Sequence, residues 1–211
     1  MTVYALRVWL PDRPGALGQV ASRIGAVRGD VVGIEILERG PTQVIDEVLV
    51  ELPDDGVVSL LLAEVAQVDG VAVEDVRAVD HGRADGGTLA LEAAVRLTAL
   101  PESERLSALC AEVLQLTGAD WVVAVHLDSA EPLVQVGETP DIDWLVAFLN
   151  GSSHLSHERD PANGPGELAW VHLPSSRVAV AVERRNWDFR ARERQHLMSL
   201  GQLVDLLGPV G

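Results

Sequence analysis

The 211 residues carry 32 Asp and Glu against 16 basic side chains, a net charge of −16, and 47% of them are apolar. That apolar share supports packed cores rather than disorder, and the acidic excess argues against nucleic acid or anionic membrane as a partner, since both need cationic surface. Every basic side chain apart from histidine is arginine, which excludes Schiff-base lysine chemistry, lysine general bases and a P-loop lysine.

Residues 2–79 read as βαββαβ. Tyr4, Leu6, Val8 and Leu10 alternate with less apolar positions, the pattern of a half-buried strand. Pro14 and Gly15 mark a helix entry, and Leu17, Val20, Ala21 and Ile24 follow helical spacing to an end near Gly29. Val32, Ile34 and Ile36 alternate again; ERGPT turns the chain, and QVIDEVLVEL returns it as a third strand. Asp54 or Asp55 is placed to cap a second helix carrying Val58, Leu61, Leu62 and Val65, and VAVEDVRAV closes the unit. Two helices on one face of a four-stranded antiparallel sheet make the ferredoxin-like arrangement, so the expected class is α+β.

The glycine-rich DHGRADGG reads as a linker over 81–87, dividing a unit at 1–80 from a second at 88–211. In the second, residues 88–117 are helical with a break at Pro101, and Leu106, Leu109, Cys110, Val113 and Leu114 share one face. DWVVAVHL and EPLVQVG form a hairpin, DIDWLVAFL a short helix with Asp141 near its cap, and NGSSHLSHERDPANGPG a long polar loop. ELAWVHL and RVAVAVERR form a second hairpin across PSS, and a closing helix presents Leu197, Leu200, Val204 and Leu207. The expected result is a mostly antiparallel sheet flanked by its first and last helices.

The stretch Asp12-Arg13-Pro14-Gly15-Ala16-Leu17, set between an alternating strand and an amphipathic helix, suits a carboxylate. A helix start carries amides without partners and partial positive charge, and Gly15 leaves the backbone open to close approach. Asp12 is placed to accept from an ammonium group. Together with Arg28-Gly29-Asp30-Val31-Val32 and the βαββαβ order, this stretch resembles the ACT domain family, small ligand-sensing modules of amino-acid metabolism. The resemblance implies a homodimer with ligand at the subunit interface. Asp12, Arg13, Pro14, Gly15, Ala16 and Leu17 of one copy would face Gly29, Asp30 and Val31 of another. Many amino-acid-binding members place an asparagine after the glycine, where this chain has Asp30. Residues 88–207 resemble a shortened GAF-like domain, a fold of small-molecule sensing and dimerisation, chiefly through the closing helix after Phe189.

Other groupings have plainer readings. His154, His157, Glu158 and Asp160 share a polar loop without the rigidity a metal centre wants. Cys110, the one cysteine, lies on an apolar helix face, where a small hydrophobe is expected rather than a nucleophile. Glu138, Asp141 and Asp143 near a helix start serve the cap and dipole better than acid–base catalysis. Arg184, Arg185, Arg190, Arg192 and Arg194 surround Trp187 and interleave with Glu183, Asp188 and Glu193, so mutual ion pairing competes with an anion site. Trp121, Trp144 and Trp170 suit either a core or an aromatic-lined cavity.

No Ser-His-Asp, HExxH, GxSxG or dinucleotide pattern is present. The expectation is therefore a non-catalytic regulator binding an amino acid, without cofactor or metal, with a regulated protein partner engaged through the C-terminal half. A dimerising adaptor without such a ligand, or a GAF-type sensor of a nucleotide or other small molecule, stands as the alternative. Met1-Thr2-Val3-Tyr4 lacks the basic and apolar regions of a signal peptide, and a lone cysteine fits a reducing compartment, so a cytoplasmic location is expected.

Overall fold

The computed structural model describes residues 1–80, 84–155 and 166–210. The chain divides into two compact units, Met1–Asp85 and Gly86–Gly211, each with its own antiparallel sheet. The class is α+β.

The first unit runs β1 (Thr2–Pro11), α1 (Ala16–Ala26), β2 (Asp30–Arg39), β3 (Gln43–Leu52), α2 (Val58–Val65) and β4 (Ala72–Val79). Its strand order β2-β3-β1-β4 is the ferredoxin-like order. Side chains alternate across a strand, so Leu6, Val8 and Leu10 of β1 and Val48, Val50 and Leu52 of β3 share one face. There they pack with Val20 and Ile24 of α1 and Leu61 and Val65 of α2. The opposite face holds charge. Arg7, wholly buried, lies 3.1 Å from Glu47, and Arg77 lies 2.7 Å from Glu47 and 2.8 Å from Asp75. Asp54 accepts from the Gly56 amide at 2.8 Å and caps the short 3-10 turn that leads into α2.

The end of α1 differs from the expected glycine stop. The left-handed residue there is Arg28, at φ 61°, and Gly29 follows it, its amide donating to the Ile24 carbonyl at 3.0 Å. Gly29 serves close packing instead: a Cβ there would stand 2.9 Å from Ile24 Cγ2 and 3.1 Å from Leu52 Cδ2.

The second unit runs α3 (Gly86–Ala99), α4 (Glu102–Thr117), β5 (Trp121–His126), β6 (Pro132–Val136), α5 (Ile142–Leu155), β7 (Leu168–Leu173), β8 (Val178–Glu183) and α6 (Ala191–Leu206). Gly86 and Gly87, expected in the linker, begin α3. The strand order is β6-β5-β8-β7. The expected flanking of the sheet by first and last helices is not found. Leu97, Leu109, Val113, Leu197 and Leu200 pack together on the face bearing Val122, Val171 and Val180. The other face, bearing Trp121, Val123 and Ala181, is covered by Leu145, Val146 and Leu149 of α5. Periodicity shows that each helix has an apolar stripe but not which face of a sheet receives it. Helix α5 also runs on through residues 150–155, the start of the expected loop. No helix among the described residues is long and apolar enough to cross a membrane.

Candidate functional site

The loop between β1 and α1 is exposed from Asp12 to Gly15, and Ala16 is buried. The Asp12 amide donates to the Thr42 carbonyl at 3.0 Å and the Arg13 amide to Pro11 at 2.8 Å, which ties the loop to the β2–β3 turn. Gly15 is the N-cap, at φ 87°, with no side chain capping the helix and no acidic residue in its first turn. The first i→i−4 bond runs from Gln19 to Gly15, so the Leu17 and Gly18 amides precede the intrahelical ladder. This start therefore presents its dipole without a fixed anion of its own.

Three further residues join the loop. Arg39 lies 3.8 Å from the Asp12 carboxylate. Asp46 stands opposite Val8 and Ile36 on the apolar face of β3, and is only 4% exposed. Its Oδ1 has no hydrogen-bond partner among the described residues. Burial pushes its carboxyl up, Arg39 pulls it down, and nearby Asp12 pushes it up. Arg13 turns to Gln19 at 3.3 Å and edges an open polar cleft of about 380 Å³ with Ser22, Arg23 and Gln67. Asp46 was legible in QVIDEVLVEL as the one acidic residue among Val44, Val48, Val50 and Leu52, which share its strand face.

The two halves of the expected site do not meet within one chain. Pro11 is in register with Gln43, whereas Asp30 and Val3 are both in register with Glu51. At ~3.3 Å per residue, the eight positions from Val3 to Pro11 separate Asp30 from the loop by roughly 26 Å along the strands. Gly29 and Val31 are half-buried at that far end, and Asp30 is exposed. β2 is an edge strand, and Val32, Ile34 and Ile36 on it are 51%, 44% and 45% exposed.

In the second unit the arginines sort by burial. Arg184, with a side chain 2% exposed, donates twice to Glu193 at 2.7 and 2.6 Å, and once each to the carbonyls of Thr117, Trp187 and Asp188. Arg194 donates to the Leu168 carbonyl at 2.7 Å, and Arg190 lies 3.9 Å from Asp188. Arg185 is exposed. Arg184 thereby ties the end of β8 to α6, and Arg194 ties α6 to β7. Cys110 is buried, which pushes its thiol up to about 12. Asp141 accepts from the Trp144 amide at 2.9 Å, as a cap does. His157, Glu158 and Asp160 lie outside the described residues, and His154 falls in the last turn of α5.

A cavity of about 650 Å³ opens beside α5, lined by Trp121, Pro140, Trp144, Phe148, Gly166, Glu167, Leu168, Glu183 and Asp188. Trp170 lies outside that lining and packs edge-on against Phe148 at 5.2 Å.

No family model matches the chain, and no curated protein does. Three solved structures share some of its geometry. A formyltetrahydrofolate deformylase from Pseudomonas putida KT2440 is 20% identical over 45% of this chain, with a TM-score of 0.32; the match spans 38% of the deformylase. The C-terminal domain of the MgtC protein from Mycobacterium tuberculosis is 20% identical over 40% of this chain and 95% of its own, with a TM-score of 0.31. An unknown protein from Galdieria sulphuraria is 13% identical over 97% of this chain and 92% of its own, with a TM-score of 0.34.

Proposed function

We propose that the chain is a non-catalytic regulator whose first unit, an ACT-like module, binds an α-amino acid between two copies joined along β2. The observation that carries this reading is the placement of the two half-sites at opposite ends of a free, apolar edge strand. Antiparallel pairing of β2 with its two-fold mate sets the Asp30 end of one copy beside the Arg39 end of the other. Arg39 adjoins Asp12, so each such pairing assembles two complete sites. The ligand carboxylate takes the Leu17 and Gly18 amides, and its ammonium takes Asp12 and the mate's Asp30. The apolar stripe of Val32, Ile34 and Ile36 supports pairing at that edge, because an exposed apolar edge strand is otherwise a liability. In this reading residues 88–211 form a GAF-like module through which a regulated protein is engaged, and the protein works in the cytoplasm.

Thermal denaturation against a panel of the common amino acids tests the proposal, with light scattering on the same samples. Ligand at about 100 times its dissociation constant adds about 2.7 kcal/mol, a shift of several degrees. A selective shift that Asp12→Ala and Asp30→Ala each abolish is expected, on a particle of twice the 22.6 kDa chain mass. Ile34→Lys, which sets a charge on the edge, is expected to give monomers and lose the shift with them. A dimer that no amino acid stabilises would favour the adaptor reading, and a wild-type monomer would remove the shared site.

A further inference from the structure

The cavity beside α5 has a chemistry that the amino-acid reading does not use. Its lining brings aromatic rings, Trp121, Trp144 and Phe148, together with carboxylates, Glu167, Glu183 and Asp188. Trp144 is 55% exposed and stacks on Phe148 at 5.7 Å, the rings 14° from parallel. Phe148 is braced edge-on by Trp170 at 5.2 Å, so the stack is held from behind. A large indole kept at a cavity mouth, with a ring fixed beneath it, offers a π face to a ligand.

Among the described residues, the charge of the lining is one-sided. The residues lining the cavity include three carboxylates and no Arg or His among the described residues. Glu183 accepts the Trp121 indole N–H at 2.5 Å, which holds its carboxylate at the wall. Asp188 lies 3.9 Å from Arg190, a partial compensation, and Glu167 is exposed at the rim. Arg184, the nearest strongly buried cation in the sequence, spends its donors on Glu193 and three carbonyls. Phosphate and carboxylate ligands are disfavoured in such surroundings, which weighs against a nucleotide. A cation gains from the ring faces and the carboxylates together.

We propose that this cavity binds an organic cation, an ammonium or guanidinium group on an apolar body, with the charge held by Trp144 and the carboxylates of Glu167, Glu183 and Asp188. The apolar body fills the space against Trp121, Phe148 and Leu168. This site is independent of the loop between β1 and α1 and stands or falls without it.

Isothermal titration of the full-length protein with benzyltrimethylammonium, against benzyl alcohol as a neutral match, tests the assignment. Neither compound carries the α-carboxylate that the first unit would need. Saturable binding of the cation is expected, with benzyl alcohol at least about tenfold weaker. Trp144→Ala and Glu167→Gln alter exposed side chains and leave the fold intact, which far-UV circular dichroism checks. Each is expected to weaken the cation by about tenfold or more, while Asp12→Ala leaves it unchanged. Equal binding of benzyl alcohol would show a merely apolar cleft and overturn the proposal. So would cation binding that survives both substitutions and vanishes with salt, because that is attraction to the overall negative charge. Absence of saturable binding would overturn it outright.

Discussion

Replacing Arg184 by methionine keeps most of the side-chain volume and removes the charge. The guanidinium is 2% exposed and makes five hydrogen bonds of 2.6–3.0 Å, two of them to Glu193, whose side chain is 14% exposed. Its carbon also sits 4.1 Å from the centre of the Phe189 ring. The variant takes the Arg184 guanidinium from a nearly buried carboxylate and strips a donor from the carbonyls of Thr117, Trp187 and Asp188. Breaking a buried pair from one side costs about 3–5 kcal/mol. Glu193 keeps the bond from the Arg190 amide at 2.8 Å, which favours the lower half of that range. For a unit of this size, at roughly 3–5 °C per kcal/mol, the melting temperature falls by about 10–15 °C. Four of the five tryptophans, Trp121, Trp144, Trp170 and Trp187, belong to the second unit, so urea unfolding followed by tryptophan fluorescence reports chiefly on it. Arg185→Met is the control: that side chain is 61% exposed and 3.8 Å from an exposed Glu138, and such pairs contribute about 0–1 kcal/mol. If Arg184→Met were no more damaging than Arg185→Met, the buried arginine would not be what ties β8 to α6.

Two further outcomes follow from burial. Asp46 holds its proton more tightly folded than unfolded, because burial raises its carboxyl above the ordinary 3.8, so its contribution to stability grows as pH falls through the raised value toward 3.8 and is lost again as pH rises. Asp46→Asn is therefore expected to be more stable than the wild type at pH 7, with the advantage shrinking in urea titrations as pH falls toward 3.8; an advantage that is flat or grows on acidification would contradict this origin. The Cys110 thiol, pushed up to about 12 by burial, is expected to resist a disulfide exchange reagent at pH 8 and to react fully once urea unfolds the chain, whereas labelling of the native protein within minutes would show the helix pair opening around it.

The alternation of Leu6, Val8 and Leu10 and the spacing of Val20 and Ile24 were enough to specify the strands, helices and α+β class of the first unit, since periods of two and about 3.6 report one buried face directly. Turn chemistry was equally readable at Asp54 and Asp141, where capping is decided by a few adjacent atoms. Partnering was not. Nothing local to Arg184 shows that it will also meet the Thr117 carbonyl 67 positions away, or that α3, α4 and α6 will share a face and leave the other to α5. Arg28 takes the left-handed turn, and Gly29 after it sits where a Cβ would crowd Ile24 and Leu52. Asp46 was written on an apolar face, but the lack of a hydrogen-bond partner for its Oδ1 among the described residues, and its nearness to Asp12 and Arg39, exist only once three strands are in register. The same register sets Asp30 far from Asp12. Local sequence thus determined the elements and those ends that a side chain caps, through short-range sterics and hydrogen bonds. The tertiary structure decided which charges are buried together and which half-sites stand apart, because those depend on contacts between residues tens of positions away in the chain.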